Sequence, residues 1–311
     1  MKKIVKAINL IGNPAKMVVR LNSHGFARLF SDKFFLKCEY KHIFGKKLNL
    51  KDPQTYNEKL QWLKLYDRRP EYTTMVDKYE AKKYVADIIG EEYIIPTLGV
   101  WDRFEDIDFD SLPDQFVLKC THDSGGLAIC RDKSKFDIEK ARTKINKALK
   151  RKYFYVHREW PYKNVKPRII AEQYMADNNG ELLDYKFMSF MGDVKCLFIC
   201  SDRFSKDGLH VTFLDNEWNV MPFERYYPSK KEGFVKPSSY EQMKLLAERL
   251  AQDIPFVRVD FYDVNGKVYF GELTFFPGSG LEPFNPPEWD KTFGDWINLP
   301  TEQIEKGNKR R

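Results

Sequence analysis

Residues 254–280, IPFVRVDFYDVNGKVYFGELTFFPGSG, constrain the fold more than any other stretch of this chain. Apolar alternation on both sides of Asn265-Gly266 predicts a β-hairpin. Strand side chains alternate faces, so Arg258 and Asp260 share one face of the first strand, and Phe270, Glu272 and Thr274 share one face of the second. Whether the two faces coincide depends on the turn. A two-residue Asn265-Gly266 turn pairs Asp260 with Gly271 and sends Glu272 to the far side, whereas a loop of three or five residues keeps the charges together. The odd loop is the expectation, because the alternative buries acids on both faces of a hairpin rich in Phe, Tyr and Val. Two carboxylates and an arginine converging from neighbouring strands make an oxygen-ligand site for Mg²⁺ bridging phosphates. The same spacing also describes a solvated face with a surface ion pair, and spacing alone does not choose.

The 311 residues allow two domains, or one large α/β domain with an extension, and 31% charged with 42% hydrophobic residues is a globular composition. No uninterrupted apolar run of about 18 residues occurs, so no membrane span is expected. Five cysteines (Cys38, Cys120, Cys130, Cys196, Cys200) lack CxxC or Cys/His ligand spacing, which fits reduced thiols and a cytoplasmic location. Asn9, Asn13, Pro14 and Lys16 interrupt any signal-peptide core, and no export signal is expected.

Charge is unevenly placed. Residues 1–50 hold eleven Lys and Arg against Asp32 and Glu39, a net +9, so the remainder carries −2 of the total +7. Interleaved with Phe26, Leu29, Phe30, Phe34, Phe35 and Phe44, these bases describe a basic amphipathic layer. It either rests on an anionic membrane surface or an acidic polymer, or packs its aromatics on the main domain. No recognised binding motif accompanies the charge, so nucleic acid is not an expected partner.

Capping-box spacing at Thr55/Glu58 and Asp77/Glu80 predicts helices to about Tyr66 and to Ile89, where Gly90 supplies the stop. Strands are expected at 115–120 and 127–131, joined by Thr121-His122-Asp123-Ser124-Gly125-Gly126, followed by a helix capped by Asp137. Further strands are expected at 168–175, 183–191, 194–202 and 210–215, with turns at Asn178-Asn179-Gly180 and Gly192-Asp193. Ser238/Glu241 is another capping-box spacing, opening a helix to about Ala251. The tail 283–300, rich in Pro, Trp and Phe, reads as irregular, and 301–311 as a frayed end. The expected division is a basic helical region (1–75), a small lobe (76–170), a large lobe (171–300) and the tail, an α+β organisation in two lobes.

Lys119 ends the apolar strand FVLKC and precedes a small-residue loop that can aim backbone N–H groups at a phosphate. It is not a Walker A loop, and a plain hairpin turn has the same composition. His122 in that loop reads as a solvated side chain or a substrate contact. Glu172 lies at the lobe junction, where its carboxylate accepts a ribose hydroxyl while the backbone of Gln173 and Tyr174 meets an adenine edge, or where it simply faces water. Lys186, in LDYKFMSF, is costly if it points inward without an anion and unremarkable if it points out.

The succession DPQTYNEKLQWLKLYD, DKYEAKKYV, FVLKCTHDSGG, DYKFMSFMG, VRVDFY, GELTFFPGSG and PPEWDKTFGDWINLP resembles the ATP-grasp superfamily, and within it the TupA-like branch, named for a protein of teichuronopeptide biosynthesis. The resemblance covers residues 48–300. It implies an ATP-grasp fold, with ATP between two α+β lobes and a carboxylate joined to an amine. By that resemblance, Lys78 and Lys119 contact ATP phosphates, His122, Ser124, Gly125 and Gly126 belong to the loop closing over the γ-phosphate, and Glu172, Gln173 and Tyr174 hold the nucleoside. Lys186 is a further phosphate contact. Asp260, Glu272 and Thr274 ligate Mg²⁺, and Arg258 stabilises the transferred phosphoryl group. Thr274 stands where the superfamily commonly has Asn, which puts a second metal ion in question. The usual preceding α/β domain is replaced by basic helical sequence, so the acceptor is not readable.

The function expected is an ATP- and Mg²⁺-dependent ligase acting through an acylphosphate on a surface polysaccharide or its precursor, with small-molecule or glycan carboxylates and amines as substrates. The rival enzyme reading is a sugar-nucleotide glycosyltransferase, since Asp106-Ile-Asp108 and Asp108-Phe-Asp110 have the DxD form. A non-enzymatic scaffold docked through its basic end is the third.

Overall fold

The computed structural model describes residues 14–176, 182–201, 208–231 and 234–300. The expected turn at Asn178-Asn179-Gly180 and the tail 301–311 lie outside them. In chain order the helices are α1 (Pro14–Ser23), α2 (Asp32–Phe44), α3 (Tyr56–Tyr66), α4 (Glu71–Val76) and α5 (Glu80–Ile89). Strands β1 (Thr97–Trp101), β2 (Phe116–Cys120) and β3 (Leu127–Cys130) follow, then α6 (Ile138–Leu149), α7 (Phe154–His157) and β4 (Ile169–Gln173). The second half holds β5 (Asp184–Phe190), β6 (Asp193–Ser201), β7 (His210–Leu214), α8 (Tyr240–Leu250), β8 (Val257–Val264), β9 (Lys267–Thr274) and α9 (Glu288–Trp296). This is the α+β mix that the sequence predicts.

The described residues divide into two compact units, one within 14–68, 152–163 and 276–300, the other within 69–151 and 164–275. Both expected lobes fall in the second unit, except that 152–163 and 276–300 fold with the N-terminal helices.

In the first unit, α1 and α2 bury Val18, Phe35, Leu36 and Tyr40 with Leu48 and Leu281. The capping box at α3 forms as predicted, with Thr55 accepting from the Glu58 amide and Glu58 returning to Thr55. The tail is not irregular. It contains α9, because Phe293 packs edge-on against Tyr56 at 5.8 Å and Asp290 accepts from the Asn57 amide (2.9 Å) and its Nδ2 (3.0 Å). Gly294 sits where a Cβ would stand 2.2 Å from the Gln54 carbonyl oxygen, so only glycine lets α9 approach this closely.

In the second unit, one sheet runs β1-β4-β2-β3 and the other β9-β8-β5-β6-β7, every pairing antiparallel. Helix α6 covers β2 and β3 through Ile145, over a core including Phe116, Leu118, Ile169 and Ala171. Helix α8 packs on β5, β6 and β8, where Tyr240 meets Phe187 at 6.0 Å between ring centres. The cap expected at Ser238 is not the one observed: Ser239 directly precedes α8, makes no capping bond and donates instead to Asp263. Asp77 accepts from the Tyr79 amide at 2.9 Å and, at the expected spacing, from the Glu80 amide at 3.4 Å, with the helix proper starting at Glu80. The short α4, after Pro70, was not expected.

Candidate active site

The hairpin turn has two residues, contrary to the odd loop expected. Val264 pairs with Lys267, and that register continues to Phe261 opposite Phe270. A β-bulge at Gly271 then shifts it by one, so that Glu272 stands opposite Asp260 and Thr274 opposite Arg258. The acids therefore share a face for a reason the turn did not reveal. A Cβ on Gly271 would lie 3.1 Å from the Asp260 carbonyl oxygen and 3.2 Å from the Tyr262 ring, which suits the bulge to glycine.

Across the next strand Lys186 stands directly opposite Asp260, giving a cross-strand row Lys186, Asp260, Glu272. Lys186 points inward and pairs with both Asp184 and Asp260. Arg258 donates to Asp260 through Nε (2.6 Å) and Nη2 (2.7 Å), to Glu272 (2.7 Å) and to Thr274 Oγ1 (2.9 Å). Three carboxylates thus face two cations.

Burial would lower the Arg258 pKa, but Asp260 and Glu272 more than reverse it. Burial likewise opposes the charge on Lys186, and Asp184 and Asp260 restore it. For Asp260, burial pushes the carboxyl up while Arg258 and Lys186 oppose. Burial also acts to raise Glu272, yet Arg258, then Lys78 and Lys186, hold it at about 2. Its side chain keeps 41% of its surface open.

The donor set fits Mg²⁺. Asp260, Glu272 and Thr274 offer hard oxygens, and Asp184 Oδ1 is buried without a hydrogen-bond partner. Among the described residues no three or more His, Cys, Asp or Glu gather into a metal cage. Any such ion would take its remaining ligands from phosphate and water, the usual habit of Mg²⁺.

The glycine loop after β2 is built to stay in place. Thr121, His122 and Asp123 are buried, and only Ser124 and Gly125 are exposed. Asp123 Oδ1 accepts from the Gly126 amide at 2.9 Å, and a Cβ on Gly126 would meet Ala148 at 2.6 Å. His122 is thus a buried side chain rather than a solvated one, bonded to the Arg151 carbonyl oxygen at 3.2 Å, and burial lowers its pKa against the opposing Asp123. Lys78 braces the loop by donating to the Asp123 carbonyl oxygen at 2.9 Å.

Glu172 is buried and paired with Lys119 (2.5 Å) and Lys82 (2.6 Å), which together hold its carboxyl low against burial. It does not face water. Gln173 ends β4, and the Tyr174 hydroxyl accepts from Arg131 Nε at 3.1 Å.

Sequence reasoning missed Lys82, Asp184 and Arg168. Asp184 is two before Lys186 on one strand face, so strand periodicity could have found it, whereas Lys82 is on α5 and Lys78 in the turn before it, so no shared periodicity links those two. Arg168 pairs with Asp77 (2.7 Å) and Glu80 (2.9 Å), with no sequence signal. The DxD forms are on an exposed turn, where Asp108 Oδ1 is taken by the Asp110 amide at 3.0 Å.

A family model described as TupA-like ATPgrasp matches residues 58–298. Similar solved structures include D-alanine–D-alanine ligase from Bacillus anthracis with ATP, at 16% identity and TM-score 0.42, covering 76% of this chain and 68% of that one. The D-alanine–D-alanine ligase from Helicobacter pylori has 15% identity and TM-score 0.41, covering 73% and 59%. The ATP-grasp ligase PsnB with minimal precursor, Mg and ADP has 10% identity and TM-score 0.39, covering 70% and 57%. This chain therefore spans less than two thirds of the length of the latter two. No curated protein sequence matches it.

Proposed function

The chain belongs to the TupA-like ATP-grasp family, and from that premise we propose that it is an ATP- and Mg²⁺-dependent carboxylate–amine ligase working through an acylphosphate. The observation that carries the reading is the row Lys186, Asp260, Glu272, with Arg258 across it and an excess of carboxylate over cation. A carboxylate is a poor electrophile toward an amine. Its oxygen attacks the γ-phosphorus of ATP and ADP leaves, giving an acylphosphate; the amine then adds to the carbonyl carbon, phosphate departs, the nitrogen loses a proton, and the amide remains.

Lys78 and Lys119 offset phosphate charge, and the exposed amides at the Ser124-Gly125 tip receive the γ-phosphate, while the Gly126 amide is held by Asp123 and braces the loop. Glu172, Gln173 and Tyr174 border the nucleoside, and the Glu172 ion pairs also fix where the Lys119 ammonium sits. Lys186 is a further phosphate contact through the row it shares with Asp260. Arg258 stabilises charge on the transferred group. Asp260 and Glu272, with Thr274 beside them, would hold Mg²⁺, which would supply charge neutralisation for the phosphates. The substrates proposed are a carboxylate and an amine of a surface polysaccharide or its sugar precursor, handled in the cytoplasm at the inner face of the membrane.

Phosphate release from ATP, screened over carboxylate and amine pairs, tests the chemistry. Asp260→Asn and Glu272→Gln should each lower turnover by about a hundredfold or more. Full activity in both variants sinks the metal assignment.

A further inference from the structure

The N-terminal layer has an outer face whose chemistry differs from that of an ordinary surface. Helix α2 buries Phe35, Leu36, Glu39 and Tyr40, leaving Phe34, Lys37 and Lys41 together on its opposite side. Before it, the turn at Phe26–Leu29 holds Phe26 51% and Leu29 73% exposed, and Phe34 is 49% exposed. Large apolar side chains standing this far out are normal singly, but here they recur on adjacent elements among bases.

The two acids of this layer are turned inward and used. Glu39 is buried against His157 Nδ1 at 2.9 Å, and Asp32 is paired with Arg68 (2.9 Å) and Arg158 (3.2 Å). Arg158 is itself wholly buried over the Phe35 ring, 4.2 Å from its centre. The exposed side chains of α2 and the turn are therefore basic and apolar, and the two acids that these elements carry are both engaged in ion pairs. The packed core beneath, with Tyr40 and Leu281, means the exposed aromatics are not a core awaiting completion.

We infer that this face docks on an anionic lipid surface, Phe26 and Leu29 entering the headgroup boundary while Lys33, Lys37 and Lys41 sit among the phosphates. Charge complementarity selects this occupant. A protein partner would need a matching acidic and apolar face, whereas a bilayer offers both as a continuum. The inference deepens the peripheral location proposed above and rests on it; it does not depend on the ligase chemistry.

The test is co-sedimentation of the full chain with vesicles of phosphatidylcholine alone and of phosphatidylcholine containing about one third phosphatidylglycerol. Binding is expected to the anionic vesicles only and to weaken with salt. Joint replacement Lys33→Gln, Lys37→Gln and Lys41→Gln should lower partition by about a hundredfold, at about fivefold per base. Phe26→Ser with Leu29→Ser should lower it by about tenfold. Thermal melting and nucleotide turnover should stay unchanged in both variants, since these side chains are exposed and outside the catalytic set. Equal binding to neutral vesicles, or preference for a soluble acidic polysaccharide, overturns the inference. Anionic binding that survives both variants overturns this surface while leaving the location standing, and no vesicle binding at all removes both.

Discussion

Arg258 reaches Glu272 across the hairpin at 2.7 Å, although the two-residue turn alone would have put Glu272 on the opposite face. The extra residue, Gly271, reverses the parity of the second strand just before the acid. The site thus depends on a backbone irregularity as much as on its charged residues.

Gly271→Ala should perturb that irregularity. A methyl group would press on the Asp260 carbonyl oxygen and the Tyr262 ring, with an expected cost of about 1 to 2 kcal/mol in denaturant melts. Turnover should fall further than stability does, because the Asp260–Glu272 register moves with the bulge. Unchanged turnover would mean that the bulge is not what aligns the acids.

Lys119→Met removes one of two cations from buried Glu172. Leaving that carboxylate with Lys82 alone should cost about 1 to 3 kcal/mol. Adding Glu172→Gln removes the under-paired carboxylate but takes the anion from Lys82, so it should return only part of the stability and none of the turnover. Recovery of both would make the pair structural only.

Acid sensitivity follows from Glu272. Its folded pKa, about 2, is below the ordinary 4.5, so the stabilisation is complete above about pH 4.5 and is lost as pH falls toward about 2. Full enclosure would make the drop worth about 3 kcal/mol; with 41% of the side chain open, screening reduces it to about 1 to 2 kcal/mol. Denaturant melts at about pH 6 and about pH 3 should show Glu272→Gln losing less stability on acidification than the parent. Parallel losses would contradict the depressed pKa.

Asp290→Ala should destabilise the N-terminal unit by about 1 to 3 kcal/mol, since it strands the Asn57 amide and leaves its Nδ2 with the Glu282 carbonyl oxygen alone. Native-state hydrogen exchange should show α3 and α9 opening together. Protection lost in α9 alone would argue that the two helices are not one cooperative element.

Some of this was legible beforehand. Period-two alternation located β5, β8 and β9, and the same-face relation of Arg258 and Asp260 follows from covalent geometry alone. Thr55 and Glu58 announced α3 because capping is a local hydrogen-bond exchange. The aromatic tail misled because its helix, α9, is held by residues more than 200 positions away, such as Asn57.

What the chain determined by itself was therefore whatever acts within a few residues: strand periodicity, the Thr55 cap, the place of the hairpin though not the length of its turn, and the charge imbalance of the first 50 residues. Tertiary structure decided which groups meet. Glu172 was drawn to Lys82 and Lys119, Lys186 was set opposite Asp260, and Glu39 and Asp32 were turned inward from a basic surface. Ion pairing between distant residues depends on register and burial, and a one-residue bulge is enough to choose between two opposite faces.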